Sequence, residues 1–341
     1  MEEELGQIQG FRRLSEKLAS AGQPEPNGIA AIARAGFKCL INLAQSTSPG
    51  ALANEAELAA QAGLTYLHLP IDFEAPELEP AHKLFQALDE RQGEAVFVHC
   101  ARNMRVSALL YVYRCLRGLV PIKQARADLH AIWQPNHTWR RYLSNAALLA
   151  LPRPVRLETE RLVLRDALLT DAEAIHRYAG DAEVVRLMIW GPNTVDQTRE
   201  HLQHRVNHLQ VAHDRRDWEL LIVEKASGEL VGGAGLRIHD SSALSGDLGY
   251  VMARAHWGKG IVPEACRKLL ELGFGGFGLH RIWASADARN LQSQRVMEKL
   301  GMRREAHFVQ DQWVKGNFRD TVVYALTEDE YWSGAAGVAS P

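Results

Sequence analysis

Apolar residues follow two different rhythms along the chain, and the change comes near residue 150. In the first half the runs Cys39–Leu43, Tyr66–Ile71 and Ala95–His99 are strand-like and are separated by Ala- and Leu-rich helical stretches. Strands alternating with helices predict a parallel sheet flanked on both faces, a three-layer α/β domain. Around Leu151-Pro152-Arg153-Pro154 two prolines interrupt a helix end, and an alternating strand begins at Arg156, which marks a domain boundary. The second half opens with Thr170-Asp171-Ala172-Glu173, read as a capping box, and a polar helical stretch running to His213. Strands follow at Leu220–Val223 and Leu230–Ala234, joined by the turn Ala226-Ser227-Gly228, and then at Asp247–Met252 and Arg281–Asp287. The expected domains are residues 1–150 and 155–333, with 334–341 a disordered tail.

A length of 341 residues and a hydrophobic fraction of 46% suffice for two buried cores. A net charge of −2 removes the electrostatic argument for nucleic acid or a membrane surface, so small molecules and proteins are the expected partners. Cys39, Cys100, Cys115 and Cys266 show no Cys-x-x-Cys spacing, so neither a metal site nor a disulfide framework is expected. The start Met1-Glu2-Glu3-Glu4 is acidic where a secretory leader is basic, and no apolar run approaches the ~20 residues of a membrane span. The expected location is the cytoplasm.

The most informative stretch is Trp257-Gly258-Lys259-Gly260-Ile261-Val262-Pro263-Glu264-Ala265, directly after the strand ending at Met252. It reads as a strand feeding a glycine turn that opens a helix, which is how backbone N–H groups are aimed at a pyrophosphate. This segment resembles the acetyl-CoA-binding motif of GNAT acetyltransferases, in the form found in ribosomal-protein N-terminal acetyltransferases. Three further blocks agree in order: Leu157–Arg165 resembles the opening strand, Arg281–Asp287 with Asn290-Leu291-Gln292-Ser293 and Val296–Met302 the next block, and Phe318-Arg319-Asp320 with Tyr324–Trp332 the closing strands. The resemblance implies an α+β domain with a mixed, splayed sheet and acetyl-CoA as cosubstrate. It places the cofactor on Val251, Met252, Trp257, Gly258, Lys259, Gly260, Ile261, Val262, Asn290 and Ser293. Val262 departs from the usual Ala or Gly, and its branched Cβ is expected to crowd the phosphate approach.

Acetyl transfer to an amine needs a polarised thioester carbonyl, a base and a proton for the departing thiolate. The resemblance puts the first on the backbone N–H of Val251 or Met252. The tyrosine that many GNAT enzymes use as the acid falls on Met297, which leaves Ser293 as the substitute, with capping of the following helix as the plainer role. Asp247 or Glu219 is the base, and surface exposure is the simpler reading of Glu219. Asp320 resembles a position near the substrate cleft and could equally fix a turn. His201, His204 and His208 share one helix face and read as a solvated face lining the acceptor cleft. The acceptor is a protein N-terminus or a small amine.

In the first half, Ala95–His99 runs into Cys100-Ala101-Arg102-Asn103-Met104-Arg105-Val106-Ser107 and then a helix. A cysteine at a strand end, beside arginines and facing a helix N-terminus, should have thiolate character. With Ser20–Pro24 and Ala35–Leu43, the stretch from about 10 to 140 resembles the bacterial branch of dual-specificity phosphatase-like domains. The family has five residues between cysteine and arginine, whereas here Val106 takes the arginine position and Arg105 comes one residue early, turned by ~100° on a helix. Asp72 is the candidate general acid, with a turn cap as the plainer role. Hydrolysis of a phosphate-bearing ligand, sulfurtransferase chemistry on Cys100, and a non-catalytic sensor of phosphate or CoA all stay open as alternatives to acetyl transfer.

Overall fold

The computed structural model describes residues 2–151, 154–211, 215–240 and 244–334. The expected tail, apart from Gly334, and the expected helix end at His213 lie outside the described residues. Two compact units are present, Met1–Ala150 and Leu151–Pro341.

The first unit runs α1 (Glu2–Gly6), β1 (Arg12–Ser15), β2 (Leu18–Ala21), α2 (Pro26–Arg34), β3 (Cys39–Asn42), α3 (Glu55–Gln61), β4 (Thr65–His68), α4 (Leu78–Glu90), β5 (Val96–His99), α5 (Met104–Leu116), α6 (Ile122–His130) and α7 (His137–Ala150). Its sheet has the order β1-β2-β5-β3-β4, parallel except for the antiparallel edge strand β1. The central strands β2, β3 and β5 are buried at every position, as strands covered on both faces must be. Cys100 follows β5 directly, at the carboxyl edge where open α/β sheets bind ligands.

The second unit continues with β6 (Arg156–Glu158), β7 (Leu162–Arg165), α8 (Ala172–Ala179), α9 (Ala182–Val185), α10 (Val195–Val211), β8 (Asp217–Glu224), β9 (Leu230–Asp240), β10 (Ser245–Met252), α11 (Ile261–Glu271), β11 (Arg281–Asp287), α12 (Leu291–Lys299), β12 (Arg303–Val314), β13 (Asn317–Thr327) and α13 (Glu328–Ser333). The sheet is mixed, in the order β12-β13-β11-β10-β9-β8-β7-β6, and only β10 and β11 are parallel neighbours. Helix α11 buries Ile261, Ala265, Cys266, Leu269 and Leu270, the stripe its spacing presents to the sheet.

Two local readings are corrected. Thr170 and Glu173 do not cap α8: the Asp171 carboxylate accepts from the Leu168 amide at 2.7 Å and holds Arg165 through both oxygens. An acidic group already paired with an arginine wins that position over a hydroxyl. Trp332 is not in a closing strand, because Thr327 and Glu330 form a true capping box that turns the chain into α13 after β13.

Candidate functional site

Strands β10 and β11 pair only from Ser245 with Arg281 to Asp247 with Trp283, and then part. The remainder of β10 stays bonded to β9 up to Met252 with Gly232. A cleft of about 1250 Å³ opens at this divergence. Of the ten residues expected to hold the cofactor, Val251, Met252, Trp257, Gly258, Gly260, Ile261, Val262, Asn290 and Ser293 all line it. Lys259 does not, and contributes its carbonyl to Arg161 Nη1 at 3.2 Å instead.

Beyond its last pair with β11, β10 turns the amides of alternate residues toward the opening, Met252 the last of them. The Ala253 N–H donates to the Val231 carbonyl at 2.9 Å, and a Cβ on Gly232 would run into the Val251 carbonyl oxygen, so the peptide groups of 251 and 253 face β9. By the alternation of a strand, the Met252 amide faces the divergence. Its own carbonyl takes the Trp257 indole N–H at 2.8 Å, so Trp257 clamps the end of the strand.

The turn then adopts what the glycines permit. Gly258 and Gly260 have φ of +76° and +74°; apart from its chain neighbours, nothing lies within 4 Å of where a Gly258 Cβ would stand, while a Gly260 Cβ would meet Arg161 Nη2 at 3.7 Å. The amides of Gly258, Lys259 and Gly260 donate no hydrogen bond among the described residues. Together with the start of α11 they present backbone donors of the kind that can meet an anion. Glu264, in the first turn of α11, fixes the glycine turn to the β6–β7 turn: it accepts from Thr159 Oγ1 at 2.5 Å, from the Arg161 amide at 3.0 Å and from Arg161 Nε at 2.6 Å. Burial pushes the Glu264 carboxyl up, but these donors hold it below its ordinary range. Val262 is half-buried and lines the same cleft.

On the α11–α12 side of the sheet, the cap expected of Ser293 is made by Asn290 instead. The Ser293 amide donates to Asn290 Oδ1 at 3.0 Å, which is the helix cap, while the Ser293 hydroxyl lies 2.8 Å from the Tyr250 hydroxyl inside the cleft. Burial and the neighbouring Cys266 push the Tyr250 phenol up, so it stays protonated. Met297 is fully buried.

The other face of the same sheet carries charge. Asp217, Glu219, Arg237, Asp247 and Trp283 share it through the registers of β8, β9, β10 and β11. Gly235 and Gly249 lie in register with Glu219 and leave the floor bare. Asp247 has His239 against its carboxylate, and that imidazole stacks on Trp283 at 5.8 Å. Glu219 is exposed and tied to Arg205 Nη1 at 2.9 Å. His201 and His204 line the cleft from α10. Asp320 fixes the β12–β13 hairpin, accepting from the Gln310 amide at 2.9 Å and facing His307 at 3.0 Å. Sequence reasoning missed Tyr250, His239 and Glu264, whose partners are set by strand register and by a contact 103 residues away.

In the first unit Cys100 is 1% exposed and Val106 is sealed at 0%. Asn103, at φ +62°, caps α5 and is anchored to the Gly10 carbonyl at 2.6 Å and Ser20 Oγ at 3.0 Å. Arg105 stands 5.8 Å over the Phe73 ring with its Nε unpartnered, and Ser107 donates to the Met104 carbonyl at 3.1 Å. Asp72 accepts from the amides of Glu74 at 2.8 Å and Ala75 at 3.1 Å, and these bonds hold its carboxyl below the usual range. That is the geometry of a turn cap. Behind Cys100, the buried Glu55 faces His99 at 3.1 Å and accepts from Gln23, Asn42 and Tyr66.

Comparison with known proteins adds two family matches. An acetyltransferase (GNAT) domain model matches residues 161–303, and a phosphatase-like domain model of the beta-lactamase hydrolase-like proteins matches residues 10–115. An uncharacterized N-acetyltransferase, p20 of Bacillus licheniformis, is 32% identical over 51% of this chain and 97% of its own length. A putative ribosomal N-acetyltransferase of Bacillus subtilis, YdaF, is 34% identical over 31% of this chain and 58% of its own. Among solved structures, a putative phosphatase from Shewanella putrefaciens is 28% identical over 43% of this chain and 97% of its own, with a TM-score of 0.40.

Proposed function

The chain belongs to the GNAT family of N-acetyltransferases, carries a phosphatase-like domain ahead of that fold, and from this premise we propose that Met252, Asp247, Ser293 and Tyr250 carry acetyl transfer to a primary amine. Acetyl-CoA is the donor this family uses, and its bound form supplies a thioester. The observation that supports the assignment is the divergence of β10 from β11, which turns the Met252 amide toward the cleft lined by the Gly258–Gly260 turn.

The amides of Gly258 to Gly260 and the start of α11 hold the diphosphate. The Met252 N–H donates to the thioester oxygen and stabilises the charge that develops there. Asp247, on the opposite sheet face, takes the proton of the attacking amine, with His239 and water to carry it off. The new N–C bond forms as the C–S bond breaks. Ser293 Oγ gives its proton to the departing sulfur, Tyr250 restores it, and solvent restores Tyr250. Asp247 is placed as the base ahead of Glu219 because it stands where β10 and β11 part, whereas Glu219 is bonded to Arg205 on the far side of β9. Two carboxyl-bearing strands on one face and two hydroxyls on the other thus let acceptor and donor meet through the divergence.

The test is thiol release from acetyl-CoA by the full chain against N-terminal peptides, amino acids, polyamines and aminoglycosides, with Gly260→Glu as control. Release with one acceptor class that is lost in Gly260→Glu is the expected result. Acetyl-CoA binding without release for any acceptor would sink the catalytic assignment.

A further inference from the structure

Arg319, on β13, is a buried cation that the acetyl-transfer chemistry does not use. It is 9% exposed and lines the cleft. The pairing of Asp287 with Thr321 puts it on the same sheet face as Asp247 and Glu219, two residues beyond the end of β11. Other arginines of that face are matched to carboxylates, Arg205 to Glu219 at 2.9 Å and Arg237 to Asp217 at 3.7 Å. Arg319 has no carboxylate within ion-pair distance among the described residues. Its Nη2 donates to Gln312 Oε1 at 2.6 Å and its Nη1 reaches the Leu187 carbonyl at 3.4 Å, while its buried Nε has no partner. Asp287 feels its charge, yet both Asp287 oxygens are taken by Arg289, at 2.9 and 2.7 Å. Thr321 Oγ1, next on that strand face, is likewise buried and unpartnered.

A guanidinium withdrawn from water with donors unmet is costly unless an anion meets it. Its planar fork is shaped for a carboxylate. We propose that the acceptor is an amine that also bears a carboxylate, with Arg319 binding the carboxylate while the amine reaches Asp247 and the Met252 amide. This rests on the acetyl-transfer reading above. A polyamine or aminoglycoside brings cations alone and leaves Arg319 facing like charge.

The experiment compares initial rates of thiol release for a series of amino carboxylates, glycine through 6-aminohexanoate, with those for their carboxamides. Two peptides differing only by Asp or Asn at the second position tell a side-chain carboxylate from that of a free amino acid. One spacing is expected to favour the carboxylate by roughly 30-fold in kcat/KM, the size of a charge-assisted contact. Arg319→Gln should erase that preference and Arg319→Lys keep part of it. Equal use of acid and amide by the parent protein overturns the proposal without any variant. So does an Arg319→Gln that lowers both alike, since that assigns Arg319 to holding Leu187 and Gln312. Turnover confined to polyamines or amides overturns this proposal and leaves acetyl transfer standing, whereas silence with every amine overturns both.

Discussion

The hydroxyl of Tyr250 lies 2.8 Å from that of Ser293 and 3.1 Å from the Ser293 carbonyl oxygen. One phenol proton therefore has two acceptors on the same residue. When it points to the carbonyl, Ser293 can donate to Tyr250; when it points to Oγ, the serine proton is released toward the cleft. Asn290 is the cap of α12, and the Ser293 hydroxyl, which that cap does not use, is left to the phenol.

Ser293→Ala should lower kcat about 100-fold and Tyr250→Phe about 10-fold, the range of a positioned acid and of its supporting hydrogen bond. Acetyl-CoA affinity should stay within about twofold for both, since neither group belongs to the glycine turn. The double variant should be no slower than Ser293→Ala, because the two hydroxyls act as one unit. Stopped-flow thiol release with calorimetric binding reads all three. An unchanged rate in Tyr250→Phe would leave the phenol a packing residue.

Gly260 sits at the N-cap of α11 with φ +74° and Gly258 just before it at +76°. An L side chain in that region costs ~1–2 kcal/mol, so Gly258→Ala and Gly260→Ala should each weaken acetyl-CoA binding by about 10-fold. Val262→Ala should not weaken it, since the loss of two methyl groups opens the cleft without touching the backbone donors. Titration calorimetry separates these outcomes, and a tight-binding Gly260→Ala would remove the turn from the diphosphate site.

The Glu264 clamp gives a pH dependence of defined sign. Its folded carboxyl titrates below the ordinary glutamate value of 4.5, so the ionised form is the one the fold favours. That contribution is complete above the ordinary value and is lost as pH falls through the lower folded one. Glu264→Gln should therefore lower thermal stability of the second unit at pH 7, and the gap from the parent protein should close as the pH falls below the ordinary glutamate value and through the lower folded one. A gap that persists unchanged in acid would mean that the clamp acts through shape and not through charge.

What was legible in the sequence were features written in adjacent residues. The glycine turn from Trp257 to Gly260 and the strand running into Cys100 each need only local chemistry to be seen, whereas the cap expected at Ser293 falls three residues earlier, on Asn290. The parallel sheet of the first unit was legible too, because buried strands such as Val96–His99 read as short apolar runs between helical stretches, but the strand order was not. The choice of Met252 over Val251 was not, since it depends on which side of β10 is bonded to β9. Tyr250 looked like a strand aromatic until register put it against α12. Thr170 and Glu173 matched a capping pattern, but Arg165, five residues earlier, had already recruited Asp171. A charge pair between the end of β7 and the turn before α8 decides this position, and the capping pattern does not record it.

The phosphatase-like domain should not hydrolyse phosphate esters. A cysteine phosphatase needs an arginine fork on the transferring phosphoryl group and an acid for the leaving alcohol. Here the residue six after Cys100 is Val106, fully buried, and Arg105 is turned over Phe73. Asp72, which would be the acid, is kept ionised by the Ala75 and Glu74 amides. The parent protein should release no detectable phenol from an aryl phosphate, and Cys100→Ser should leave that background unaltered. The network behind the loop serves stability: Glu55 and His99 are 3% and 0% exposed, and Glu55 spends its oxygens on Gln23, Asn42 and Tyr66. Removing one partner of such a buried set costs ~3–5 kcal/mol. Glu55→Ala should therefore unfold the first unit at a temperature lower by roughly 10 °C or more, which scanning calorimetry would resolve from the second unit. Measurable aryl phosphate turnover lost in Cys100→Ser would show that Arg105 reaches the loop after all, from the position one residue early.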